Sequence, residues 1–160
     1  MNRPPCYIAS PLGFSEAGRY YYSRIYLPAL SQVVDPVDPW ALTTDEEVAE
    51  ARTTGREREL ALEIGLRNTE AIRRSSLLAA FLDGQEPDAG TVAEVGFAAG
   101  LGLRCFGLRS DFRQSGEMGA AVNLQVESFI VQSGGSIVST LDDLVAALAA
   151  AAQPALAVAT

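Results

Sequence analysis

The sequence predicts an α/β fold in which helices cover both faces of a parallel sheet. Three observations predict it. Short apolar runs alternate along the chain with longer segments of helical character, five times over. The clearest run, residues 77–82, is apolar at every position, as a strand covered on both faces requires. Turn or capping residues separate each run from the helix that follows, the order of a strand–helix–strand crossover.

The first strand is Cys6-Tyr-Ile-Ala-Ser10, followed by a turn over 11–14. Ser15 is placed to cap a helix carrying Tyr20, Tyr21, Tyr22 and Tyr26 toward Pro28, where the missing N–H should kink or end it. Val33-Val34 reads as a weak second strand. Residues 35–40 read as a loop, because Pro36 and Pro39 interrupt any regular ladder. Thr44 followed by Asp45, Glu46 and Glu47 opens a helix with acids in its first turn. Thr54-Gly55 interrupts it. A further helix runs from about 56 to 74, with Leu60, Ile64, Asn68 and Ile72 on one stripe. The third strand spans 77–82, the next helix 89–102 and the fourth strand 104–108. A polar loop follows, then a helix over 123–132 ended by Gly134-Gly135. Residues 136–138 form the fifth strand, and a last helix capped by Thr140 covers about 142–151. The expected sheet order is 2-1-3-4-5, that of a flavodoxin-like three-layer sandwich. Residues 1–152 are expected to form one domain and 153–160 an Ala-rich tail. Ligands of such sheets bind beyond the C-terminal ends of the strands, here near Ser10, Asp88 and Asp111.

Composition narrows the chemistry. The 160 residues include no His, and all 12 basic residues are Arg. Proton transfer and covalent chemistry must then fall mainly on Asp, Glu, Tyr, Ser or Cys. The net charge of −8 argues against a broad basic face for nucleic acid. Cys6 and Cys105, each in an apolar run, read as buried thiols, and two thiols without His make a poor zinc site. No apolar run reaches the roughly 20 residues of a membrane span, and no secretory signal is evident, so the expected location is the cytoplasm.

The richest stretch runs from Asp88 to Glu94, where the third strand turns into a helix. Asp88 suits a helix N-cap or an active-site acid. Glu94 suits a solvated helix surface or a carboxylate facing the crevice. Tyr7 faces either the core or that crevice, where its hydroxyl would orient a carboxylate. Asn123 suits an N-cap, and Trp40 either a structural role or stacking on a ligand. Gly90, Gly96, Gly100 and Gly102 are costly in a helix and imply close approach of a backbone or ligand. The run lacks the dinucleotide Gly-x-Gly-x-x-Gly fingerprint, and no phosphate-binding loop with its Lys is present.

The pieces Tyr7-Ile-Ala-Ser-Pro11, Phe81-Leu-Asp-Gly84 and Asp88-Ala-Gly-Thr-Val-Ala-Glu94-Val-Gly-Phe-Ala98 stand in a telling order. Arg109-Ser-Asp-Phe-Arg113, Gly116-Glu117, Val122-Asn-Leu124 and Gly134-Gly135 continue it. Together they resemble the nucleoside 2-deoxyribosyltransferase family. The resemblance implies exchange of nucleobases on 2'-deoxyribose, a step of nucleotide salvage, with no cofactor and no metal. It implies Glu94 as nucleophile in a double displacement of the retaining-glycosidase kind. Tyr7 would orient it, helped by a helix N-terminus that favours the charged carboxylate. Asp88 would contact substrate and assist protonation of the base. Asn123 would reach the sugar of a neighbouring subunit, making the active unit at least a homodimer with shared sites, and Gln125 would stand at the sugar end of the pocket. Gly90 and Trp40 would line the substrate pocket. The partners implied are a deoxynucleoside and a free nucleobase.

Two departures stand out. Asn68 occupies a position that often holds Asp in the family, and an amide can hold a base but cannot donate a proton as an acid. Asp88, Glu70 or water would then deliver it. Gln125 stands where some members have Met. The alternatives are a deoxynucleoside 5'-monophosphate N-glycosidase that passes the sugar to water, and a degenerate nucleoside-binding protein. Asp88 and Asn123 disfavour the former, since an acid repels a phosphate dianion.

Overall fold

The strands β1 (Pro5–Ala9), β2 (Asp35–Val37), β3 (Leu77–Phe81), β4 (Arg104–Leu108) and β5 (Ile137–Val138) form one parallel sheet in the order β2-β1-β3-β4-β5. The structure is a computed structural model and describes residues 3–153. The tail expected at the C-terminus falls outside the described residues from 154 onward.

Alternation along the strands builds two cores. On β1, Cys6 and Ile8 face a layer formed by Tyr22, Tyr26, Leu30, Leu144 and Leu148. Tyr7 and Ala9 face the opposite layer, with Ile72, Val95, Ala98, Val126 and Ile130. Every residue of β3 is buried, as its uniform apolarity requires. The helices α3 (Asp45–Thr54), α4 (Glu57–Arg73), α5 (Ala89–Gly100), α6 (Leu124–Gln132) and α7 (Leu141–Ala152) follow the predicted segments closely. Thr44 caps α3 in a full capping box with Glu47, and Gly55, at φ 70°, closes it in the left-handed conformation. Both cysteines are free and buried, and burial pushes the Cys105 thiol up to about 11.

Two local expectations are corrected. The second strand is not Val33-Val34 but Asp35–Val37, within the segment expected to be a loop. Val33 and Val34 instead donate back to Leu30, continuing the preceding turn, with Val34 fully buried. Pro36 is tolerated because β2 is the edge of the sheet, where one side of the strand needs no ladder partner. The tyrosine-rich helix, expected to kink or end at Pro28, is distorted before it and runs on to Leu30. It runs as α1 (Glu16–Tyr21), a π-helical stretch (Tyr22–Tyr26) and α2 (Leu27–Leu30). The Leu27 N–H reaches back to the Tyr22 carbonyl, and this widened turn absorbs the missing proline donor.

Candidate active site

Two central elements meet at the C-terminal edge of the sheet. β1 is paired on both sides, so Tyr7 is held by the sheet and is fully buried. α5 begins at Asp88 and presents Glu94 in its second turn. The Tyr7 hydroxyl donates to Glu94 Oε1 at 2.6 Å. The sequence left Tyr7 between core and crevice, and it serves both: its ring packs in the core and its hydroxyl reaches the site. Glu94 is half-buried, not a solvated surface residue.

Asp88 caps α5. Its Oδ2 accepts the Thr91 N–H at 2.8 Å and the Thr91 hydroxyl at 3.2 Å. The capping role does not remove it from the site, because it also lines the cavity beside Glu94. That cavity has a volume of about 320 Å³, of the size that holds a small ligand. Trp40, Asn68, Asp88, Gly90 and Glu94, all singled out from sequence, line it. Gly90 stands one turn before Glu94 on the same helix face, and a Cβ there would sit 3.1 Å from Asp88 Oδ2. Ser10, which marks the expected ligand edge, completes the wall with Phe14, Pro39, Ile64 and Thr91, which were not singled out as site residues. Ser10 was legible only as a position at the end of β1. Ile64 was legible as part of the α4 stripe that also carries Asn68.

The Glu94 carboxyl titrates above the ordinary carboxylate range. Burial is the main cause, the Tyr7 hydrogen bond pulls the other way, and the Asp88 charge adds a smaller upward push. The net direction is upward, against the expectation that the helix N-terminus keeps this carboxyl ionised. Burial, then the Glu94 charge and hydrogen bond, push the Tyr7 phenol far up, so Tyr7 remains a donor. Asn68 Oδ1 is buried and accepts no hydrogen bond. An orphan acceptor of this kind costs stability and calls for a ligand partner.

Asn123 and Gln125 do not reach this cavity within one chain. Asn123 caps α6, accepting the Gln125 N–H at 3.0 Å and donating to Glu117 at 3.1 Å. It lines a separate depression of about 360 Å³ with Glu86, Ser115 and Glu117. Gln125 is exposed on α6. Glu70 is also exposed, outside the Glu94 cavity. Among the described residues, no group of three or more His, Cys, Asp or Glu side chains could hold a metal ion, and no helix is long and apolar enough to cross a membrane.

A pair missed at the sequence level is Tyr22 and Asp38. The Tyr22 hydroxyl donates to Asp38 Oδ1 at 2.8 Å, and the Trp40 N–H donates to the same atom at 2.9 Å. The available signal was Asp38-Pro39, a cap followed by a first-position proline. Pro36 and Pro39, which give the segment the look of a plain loop, mask it.

Comparison with known proteins finds the same fold elsewhere. A protein from Enterococcus faecalis V583, described as conserved, is 25% identical with a TM-score of 0.67, over 91% of this chain and 97% of that one. The 2-desoxiribosyltransferase of Leishmania mexicana is 23% identical with a TM-score of 0.65, over 89% and 95%. A CMP N-glycosidase of Clostridium botulinum shares the fold at 14% identity and a TM-score of 0.53, over 89% and 94%. No curated protein matches the chain. The family model for nucleoside 2-deoxyribosyltransferase matches residues 6–133, a span holding Tyr7, Asp88 and Glu94. With the strand order and this match over most of its length, the chain belongs to the nucleoside 2-deoxyribosyltransferase family.

Proposed function

We propose that the chain transfers 2'-deoxyribose between nucleobases by double displacement through a deoxyribosyl ester on Glu94. The observation that carries the reading is the Tyr7–Glu94 hydrogen bond on the wall of a cavity that also presents Trp40 and Asn68. In the first step a Glu94 oxygen bonds to the anomeric carbon. The bond to the base nitrogen breaks, its electron pair leaves with the base, and the base gains a proton. An incoming base then attacks the same carbon, loses a proton and releases Glu94. Two inversions restore the β configuration.

Each role has a physical basis. The Glu94 charge stabilises the sugar cation as it develops and then bonds to it. The Tyr7 hydroxyl holds one carboxylate oxygen and favours the ionised form, against the desolvation that opposes it. The Asn68 amide offers a donor and an acceptor to a base edge but no acidic proton. Asp88 is the second carboxyl group on the cavity wall, and we assign it contact with the substrate and, once it has taken a proton from solvent, delivery of that proton to the departing base. The separation of Asn123 from the Glu94 cavity supports a homo-oligomer, at least a dimer, in which a neighbour's Asn123 and Gln125 complete the sugar end.

The test is incubation with a deoxynucleoside and a free acceptor base, followed by chromatography. A new deoxynucleoside is expected. Without acceptor, intact mass should show one deoxyribosyl unit on wild-type protein, mapped to Glu94. Base release to water with no exchange, at every acceptor tried, would instead identify an N-glycosidase.

A further inference from the structure

We propose that Asp38 is a positioning residue for base binding. One of its carboxylate oxygens, anchored by the buried Tyr22 phenol, fixes the turn that sets Trp40 as a wall for the nucleobase. The proposal rests on the reading above that this cavity receives a base.

Trp40 follows the edge strand β2, where little regular structure could hold a large side chain in place. Contacts from the surrounding loops and helix supply what the strand does not. Tyr22, only 5% exposed, extends its hydroxyl from the π-helical stretch to Asp38 Oδ1 at 2.8 Å. That oxygen also accepts the Trp40 N–H at 2.9 Å, capping the short 3₁₀ turn Pro39–Ala41. Pro39 opens the turn with a restricted φ. The indole itself rests against Gly13, where a Cβ would lie 2.3 Å from the ring, so no larger residue fits without moving it. Phe14 meets the indole edge to face, with ring centroids 4.8 Å apart and planes at 86°. Trp40 is nevertheless 38% exposed and lines the Glu94 cavity. An aromatic group so tightly placed, yet open on the cavity side, has the form of a stacking surface.

Both donors use the same Asp38 oxygen. An amide keeps that acceptor, so Asp38→Asn should preserve the turn, while Asp38→Ala removes it. A requirement for the carboxylate charge would give the opposite ranking.

Trp40 is the only Trp in the chain, so intrinsic tryptophan fluorescence reports on this position alone. The experiment titrates free adenine and free thymine into wild type and the variants Asp38→Asn, Asp38→Ala and Tyr22→Phe, reading Trp40 quenching and anisotropy. KM and kcat for exchange are measured in parallel. We expect quenching of wild-type fluorescence by at least one base. Asp38→Ala should weaken the apparent affinity about tenfold and lower the anisotropy, raising KM with little change in kcat. Asp38→Asn should stay within about twofold of wild type, and Tyr22→Phe should fall between. Should Asp38→Ala fail to fold, Tyr22→Phe carries the test, since it removes a single hydroxyl. The proposal is overturned if neither base quenches Trp40. It is also overturned if Asp38→Asn binds as poorly as Asp38→Ala, or if Tyr22→Phe loses thermal stability with anisotropy and KM unmoved. Quenching with the expected ranking but no exchange would uphold the positioning role and reject the transferase reading.

Discussion

Two acidic loops stand at the same edge of the sheet, and they do different work. The loop after β3 ends in Asp88 and leads to Glu94, whose partner is a phenol. The loop after β4 contains Asp111, whose partner is the Arg113 guanidinium, bonded through both of its carboxylate oxygens. Asp83, between the two, accepts the backbone N–H groups of Ser110 and Asp111 and the Ser110 hydroxyl. Arg109 is buried and donates to the carbonyls of Leu82, Gly84 and Arg113. The sequence marked both loops as parts of a ligand edge. A carboxylate matched to a guanidinium has its charge committed to holding the loop. A carboxylate matched to a neutral donor keeps its charge for a substrate. The contrast shows in their titration: Asp111 is held well below the ordinary range, chiefly by its hydrogen bonds to Arg113, and Glu94 is raised by burial.

The sharpest way to break this contrast is Glu94→Gln. Exchange should fall by roughly three orders of magnitude or more, measured by chromatography, and the mass adduct should vanish. Stability should move the other way. A folded-state value raised above the unfolded one favours folding below about pH 4.3, and that contribution is lost as pH rises through the folded value. At pH 7 the buried charge is therefore a cost, and the neutral Gln should raise Tm, with the gain shrinking in acid. A near wild-type exchange rate in Glu94→Gln would refute the assignment.

Tyr7→Phe comes next. It removes the hydrogen bond that lowers the Glu94 value, so kcat should drop about ten- to a hundredfold. The wild-type activity should decline on the acid side above the ordinary glutamate value of about 4.3, and in Tyr7→Phe that limb should shift to still higher pH. An unshifted limb in the variant would mean that Tyr7 does not tune Glu94.

Asn68→Leu should cost about tenfold in kcat/KM for exchange, yet leave Tm unchanged or raised, since it removes a buried acceptor that has no protein partner. A Tm loss with full activity would make Asn68 a packing residue. The smallest effect is expected for Asp111→Asn. Exchange should stay near wild type, and Tm should fall modestly at pH 7. The lowered Asp111 value stabilises the fold above the unfolded value near 3.8 and ceases to do so as pH falls through the folded value. The Tm gap between wild type and variant should therefore narrow in acid. Loss of activity without loss of stability would move Asp111 into the site.

Tyr7 and Glu94 lie 87 residues apart, yet their meeting was accessible from sequence through topology. A parallel 2-1-3-4-5 order puts the end of β1 next to the helix that follows β3, and the chain carries a tyrosine at one place and a carboxylate at the other. Asp88 was accessible in the same way, as a loop residue at a known edge, while Trp40 was legible only as an aromatic residue able to stack on a ligand. The second strand was not, because propensity marked Val33-Val34 and hid Asp35–Val37 behind Pro36. Only its edge position makes that proline acceptable, and edge position is a tertiary fact. The Tyr22–Asp38 bond was hidden for a similar reason. Four tyrosines on one helix give no sign of which hydroxyl finds a partner: Tyr22 reaches Asp38, while the Tyr26 hydroxyl is buried without one. The separate setting of Asp111 depended on Arg113 folding back two residues, a turn that spacing alone does not specify.

The edge position of β2 has a consequence for how such a chain can diverge. Tyr7 belongs to β1, a strand bonded on both sides, so few substitutions around it leave the sheet intact. Trp40 hangs from the outermost strand, paired over three residues only. Drift in the loop after β2 can therefore reshape the end of the cavity that Trp40 lines while the Tyr7–Glu94 pair stays in register. On the proposed reading, selection for a new leaving group has a place to act that chemistry does not veto, and a library randomised over residues 38–42 should change base affinity far more often than it disturbs the Tyr7–Glu94 pair.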